Sequence, residues 1–171
     1  ASFRIEVPKA FPPLAESSDI ELTREAVLLG KTLFYDKILS IDSSLSCGSC
    51  HKPEFAFSDR GVALSHGVSG RELLRNTPPL FNLAWSQRFF WDGRAENLQE
   101  QAIEVVSSHD EMNLSWREAL KRIESQEEYR KLFAAAYPSK EIDSLLVADA
   151  LTQFQLTLVS ADSKYDKVLR G

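Results

Sequence analysis

No stretch of the chain approaches the roughly 20 consecutive apolar residues that a membrane-spanning helix requires, so no membrane span is expected. Positive charge is not in excess. Lys and Arg number 20 against 25 Asp and Glu, a net charge of −5, which leaves no basic stripe for nucleic acid or an anionic membrane. The opening ASFRIEVPKAFPPL has no basic-then-apolar leader, so any export signal is expected to have been removed or never to have been present. A disulfide framework is also missing. The only two cysteines, Cys47 and Cys50, would close a tiny loop that adds little stability, so chemistry is the better reason for the pair. What remains is an ordinary globular composition, 43% apolar and 26% charged with ten Phe and three Trp, in 171 residues. That is enough for one domain with a real apolar core.

The apolar pattern is helical and interrupted. Residues 1–20 carry three of the seven prolines and read as an extended arm, leaving 21–171 as the domain proper. Thr23 stands where it can cap a helix over about 24–36, with Ala26, Val27, Leu29, Leu33 and Phe34 near one face. From about 37 to 90 the pattern is broken by Gly, Pro and Ser, and irregular regions of that length usually wrap a ligand. Regularity returns with three capping-box patterns: Asn97 with Glu100, Ser115 with Glu118, and Ser125 with Glu128. Pro138 closes the last of these helices, and a final amphipathic one is expected over about 144–159, with Leu145, Leu146, Ala150, Phe154 and Leu158 at helical spacing. No strand pair and no internal repeat is legible. The expectation is an all-α domain with long irregular loops.

The motif that carries chemistry is LSCGSCH, residues 45–51. C-x-x-C-H is the attachment signature of c-type haem. Two thiols separated by two residues can each add to one haem vinyl group, and the adjacent His51 is then carried to the iron as proximal ligand. Gly48 and Ser49 are small, so little crowds the porphyrin edge. A thioredoxin-like redox pair would want a βαβ context, which is not present. A zinc site would need two more ligands; His66 and His109 are available, but no second C-x-x-C is. One covalent haem c is the reading, and because its thioethers are made after export in bacteria, a periplasmic protein is expected.

An electron carrier and a catalyst differ at the sixth position of the iron. Met112, the only methionine, is one candidate ligand there, set against its ordinary use as core filler. His66 lies in the Gly-flanked loop SHGVSG, and His109 in SSHDEM is the weakest of the three. A peroxidase also needs a distal base that takes a proton from peroxide and returns it to the leaving oxygen. Glu111 serves if an apolar pocket raises its pKa; otherwise it is a solvated turn residue.

LSCGSCH, SHGVSG, RNTPPLFN, FFWDGRAENLQEQA and DEM, in that order, resemble the amino-terminal half of the bacterial di-haem cytochrome c peroxidase family, which includes the MauG-type enzymes. The resemblance runs from GKTLFYD to LVSADSKYDKVLRG. It implies that Cys47 and Cys50 hold the haem with His51 as proximal ligand. His66 matches the loop histidine that, in many family peroxidases, caps the iron at rest and leaves it on activation. Glu111 matches the distal acid–base glutamate and Gln101 the pocket glutamine. Trp91 matches the tryptophan that relays electrons between two haems. Asn76 matches a residue that helps hold calcium at a domain interface. Two departures stand out: Val105 occupies a position where the family usually has proline, and the family carries a second haem domain after this point. The expectation is therefore either a fragment or a protein that works with a partner chain.

The implied function is hydrogen peroxide reduction to water, with electrons from a second haem and ultimately from a small cytochrome or cupredoxin. This chain alone is expected to turn over poorly. The rival reading is a mono-haem electron-transfer cytochrome c with Met112 or His66 as fixed sixth ligand.

Overall fold

The first long helix begins at its capping residue. In the computed structural model, which describes residues 2–14 and 21–170, the Thr23 hydroxyl accepts from the Ala26 N–H and α1 runs Arg24–Tyr35. It buries Ala26, Leu29, Gly30, Leu33 and Phe34, the face its apolar spacing predicts. Asp36 ends it and caps the tight turn Lys37–Leu39 by accepting from the Ile38 N–H. Later come α2 at Cys47–Cys50, α3 at Leu98–Ser107, α4 at Trp116–Ser125, α5 at Glu127–Ala136, α6 at Ser144–Leu156 and α7 at Lys164–Arg170. The all-α expectation holds, with the segment between α1 and α3 irregular apart from α2 and short turns.

The core is built around α6. It packs against α1 and α3, while α5 lies on α1 and α4 on α5. Its second half is buried on every side, including Thr152, Gln153 and Gln155, so it is a core helix rather than the amphipathic one expected. Leu145 is exposed and Leu158 lies beyond the helix end, which correct the predicted face. The Gln153 side-chain oxygen accepts from the Thr23 N–H and its amide donates to Asp149, which also accepts from the Tyr137 hydroxyl, whereas among the described residues the buried Thr152 hydroxyl has no hydrogen-bond partner.

Three further differences have local causes. Ser125 does not cap α5; it is the last residue of α4, where its hydroxyl donates to the Arg122 carbonyl, and Gln126 precedes α5 without a side-chain cap. Helix α7 went unread although Ser163 and Asp166 form its capping pair, because it buries no residue and so shows no apolar period. Ser2–Phe3 (β1) pairs antiparallel with Leu22–Thr23 (β2), strands too short to show alternation. The described part of the amino-terminal arm is packed down: Phe11 meets the Trp85 ring edge-on at 4.8 Å, and the Trp85 N–H donates to the Pro12 carbonyl. Residues 1 and 15–20 of that arm lie outside the described residues. Among the described residues, no helix is long and apolar enough to cross a membrane.

The α1–α6 crossing leaves no room for a side chain at Gly30, where a Cβ would stand 1.8 Å from the Ala150 carbonyl oxygen. In an open helix, Gly→Ala stabilises by about 1 kcal/mol. Here Gly30→Ala is expected to destabilise by about 1–3 kcal/mol in denaturant titration; an unchanged or raised midpoint would contradict the crossing.

Candidate functional site

Helix α2 is one turn long, and His51 caps it by donating its N–H to the Cys47 carbonyl. Ser49 is small for a reason of its own: its hydroxyl accepts from the Ser46 N–H at 2.9 Å and closes the turn. Both cysteines are free and half-buried. Burial pushes the Cys47 thiol up to about 12, and burial and Asp59 push Cys50 in the same direction. The His51 Nδ1 lies 2.7 Å from the Phe57 carbonyl oxygen, which can only accept, so Nδ1 carries the proton and Nε2 keeps its lone pair. Burial lowers the His51 pKa, against the opposing pull of the Phe57 and Pro78 carbonyls, and so favours the neutral ring that a metal needs.

These residues fit a covalent haem. Two free thiols share one helical turn, and the next residue offers an imidazole with a fixed tautomer. Among the described residues, no three His, Cys, Asp or Glu side chains gather as a metal cluster, so neither His66 nor His109 joins the cysteines. His109 is exposed beside Asp110.

The attachment turn is tied to the loop that follows. Asp59 accepts from Lys52 at 2.6 Å and from the Ser65 hydroxyl at 2.9 Å, and Ser65 lies 2.6 Å from the Thr77 hydroxyl. Ser65 and Thr77 are buried, whereas the His66 side chain between them in sequence is exposed. Met112 is 6% exposed and belongs to the main core. The 111–114 segment alternates, turning Met112 and Leu114 inward and leaving Glu111 and Asn113 half-buried. Met112 is core filler, which corrects its candidacy as sixth ligand.

Gln101 and Val105 follow one another along a single face of α3, whose C-cap residue Ser108 leads to the Glu111 turn. Val105 packs against the main core. Burial pushes the Glu111 carboxyl above the usual carboxylate range, against the opposing pull of the Ser108 hydroxyl and Arg94. The Glu111 charge is also the least of the influences that raise the Cys47 and Cys50 thiols.

Trp91 and Asn76 are brought together, but at the surface: Trp91 is 56% exposed, and its N–H donates to the Asn76 carbonyl at 2.8 Å. Trp91 is thus no part of the core. Sequence reasoning missed Arg94, which lies 3.5 Å from the centre of the Phe90 ring and pairs with Asp92 and Glu104, while Arg75 pairs with Asp92 as well. It also missed Asp59, Ser65 and Thr77. The charges in RNTPP and WDGRA were visible; their pairing across the loop was not.

The di-haem cytochrome c peroxidase family model matches residues 24–171. The chain is 43% identical over 151 residues to the methylamine utilization protein MauG of Methylorubrum extorquens, covering 88% of this chain and 42% of that one. It is 36% identical over 143 residues to the cytochrome c551 peroxidase of Nitrosomonas europaea, covering 84% and 42% respectively. A crystal structure of a MauG-like protein associated with microbial copper homeostasis superposes with a TM-score of 0.88 at 34% identity, covering 99% of this chain and 50% of the other. The chain therefore spans about half the length of these relatives. With the family match running from α1 through α7, the chain belongs to the di-haem cytochrome c peroxidase family.

Proposed function

We propose that this chain is the c-type haem domain of a periplasmic di-haem peroxidase that reduces hydrogen peroxide to water. Electrons come from a second haem, in a further domain or a partner chain, and ultimately from a small cytochrome or cupredoxin. The single observation that carries the reading is Glu111: a half-buried carboxyl that burial pushes above the usual carboxylate range, on the turn whose carbonyl accepts from Val68 in the His66 loop.

Bound at the two thiols, the haem supplies the iron at which peroxide is reduced. The protein's share is positioning and proton transfer. His51 presents Nε2 in one orientation because Nδ1 is held by Phe57. Glu111 takes a proton from one peroxide oxygen and delivers it to the other, so that the O–O bond breaks with water as the leaving group. Gln101, on the α3 face leading to Glu111, orients the substrate. His66 is the residue that closes the site when its loop turns inward. Trp91, exposed and anchored to the Asn76 carbonyl, is the relay toward the second haem, and Asn76 helps hold calcium at that junction. The chain alone is expected to turn over poorly for want of that electron supply.

In the haem-loaded chain, Glu111→Gln is expected to slow the reaction with peroxide by about 100-fold or more without loss of haem, followed by stopped-flow absorbance. The base form is needed, so the wild-type rate should rise with pH through the raised Glu111 pKa, and the variant should lose that limb. Stability runs the opposite way. The contribution of the protonated carboxyl is fully present below its unfolded pKa and is lost as pH rises through the folded one. An unchanged rate in Glu111→Gln would contradict the assignment. Met112→Ala is expected to cost about 2–5 kcal/mol of stability while leaving the haem spectrum unaltered. Loss of a low-spin spectrum in that variant would favour the electron carrier instead.

A further inference from the structure

The loop that carries His66 is seated by its main chain on the turn that carries Glu111. Gly67 is buried there, and a Cβ at this position would stand 1.7 Å from the Asp110 carbonyl oxygen and 3.2 Å from that of Glu111. Its φ is not in the left-handed region, so the position needs glycine for space. The next residue completes the contact: the Val68 N–H donates to the Glu111 carbonyl oxygen at 2.9 Å. The loop is closed on itself by Gly67 N–H to the Arg71 carbonyl and Leu73 N–H to the Ser65 carbonyl. Its other shoulder is fastened by Ser65 to Asp59 and Thr77.

The Glu111 turn is held to α3 by Met112 N–H to the Val105 carbonyl and Leu114 N–H to the Val106 carbonyl. The Glu111 and Asn113 N–H groups both donate to the Ser108 carbonyl, and the Met112 carbonyl accepts from Ile41. The Glu111 carbonyl itself is held by Val68. We propose that Gly67 and Val68 are positioning residues for the Glu111 carboxyl, so that one main-chain contact sets both the place of the His66 loop and the readiness of the proton-transfer group. A methyl group at 67 must push the two segments apart by more than an ångström, and a displacement of about 1 Å at a reacting group can cost about 100-fold. The proposal rests on Glu111 as the distal acid–base group.

The test uses the haem-loaded chain and cyanide, whose acid form must give up its proton on binding, with association read optically. Glu111→Gln is expected to slow association about 10-fold or more. Gly67→Ala is expected to slow it about 10-fold as well, and to add nothing in the Glu111→Gln background. Val68→Pro, which removes the N–H without adding a group at 67, should do the same and serves if Gly67→Ala does not fold. In the unaltered protein the Val68 amide should be protected from hydrogen exchange. An unprotected Val68 amide overturns the proposal. So do wild-type rates in both loop variants while Glu111→Gln is slow, and so does a full additional slowing in the Glu111→Gln background. A wild-type rate in Glu111→Gln itself overturns the role of Glu111, and the positioning claim with it.

Discussion

The hydrogen bond from His51 Nδ1 to the Phe57 carbonyl is the contact on which the rest of the site depends. It decides which ring nitrogen keeps its lone pair and in what direction it points. It also has a local cost: Ala56 and Phe57 both adopt left-handed backbone, φ 57° and 56°, at roughly 1–2 kcal/mol each for residues with a side chain. Packing and hydrogen bonding offset that cost. The Phe57 N–H donates to the Lys52 carbonyl, the Lys52 N–H to the Ser58 carbonyl, and the Phe57 ring lies edge-on to Phe34 in the core face of α1. A tight return of the chain immediately after the motif thus brings its carbonyl back under the imidazole. Strain held in place by its surroundings is common at functional sites, and here it fixes the orientation of the His51 ring.

The second half of the site hangs from α3. Its inward face joins the main core through Ala102 and Val106, and the neighbouring line of Gln101 and Val105, followed by the C-cap residue Ser108, points the chain toward Glu111. The charged residues around its start are exposed, so their ion pairs add little stability. Their use is geometric. Arg94 bridges Asp92 and Glu104 over the Phe90 ring, and so fixes the WDGR turn against α3 with Trp91 facing outward.

Helices whose caps and apolar faces agree were legible from sequence: Thr23 for α1, Asn97 for α3 and Ser115 for α4 each accept the hydrogen bond expected of them. Ser125 misled because a good capping residue can also be the last residue of the preceding helix, and only the run of α4 into the core decides between them. Met112 misled for a related reason: its chemistry suits iron, but the alternation of the turn sends it into the core. The C-x-x-C-H stretch was legible as a motif because the chemistry it is read for demands consecutive residues. Asp59, Ser65 and Thr77 were not, since their contacts join residues 6 and 12 positions apart within a segment of no regular period. Gly67 was visible as a glycine in a loop; that it faces the Asp110 carbonyl is a tertiary fact.

The central claim is a haem held at Cys47, Cys50 and His51 with its far side open to peroxide beneath Glu111. The most direct measurement is the optical spectrum of the purified ferric chain before and after one equivalent of hydrogen peroxide. The account predicts a covalent c-type spectrum with high-spin features that peroxide converts to an oxidised form. A low-spin spectrum that peroxide leaves untouched would contradict it.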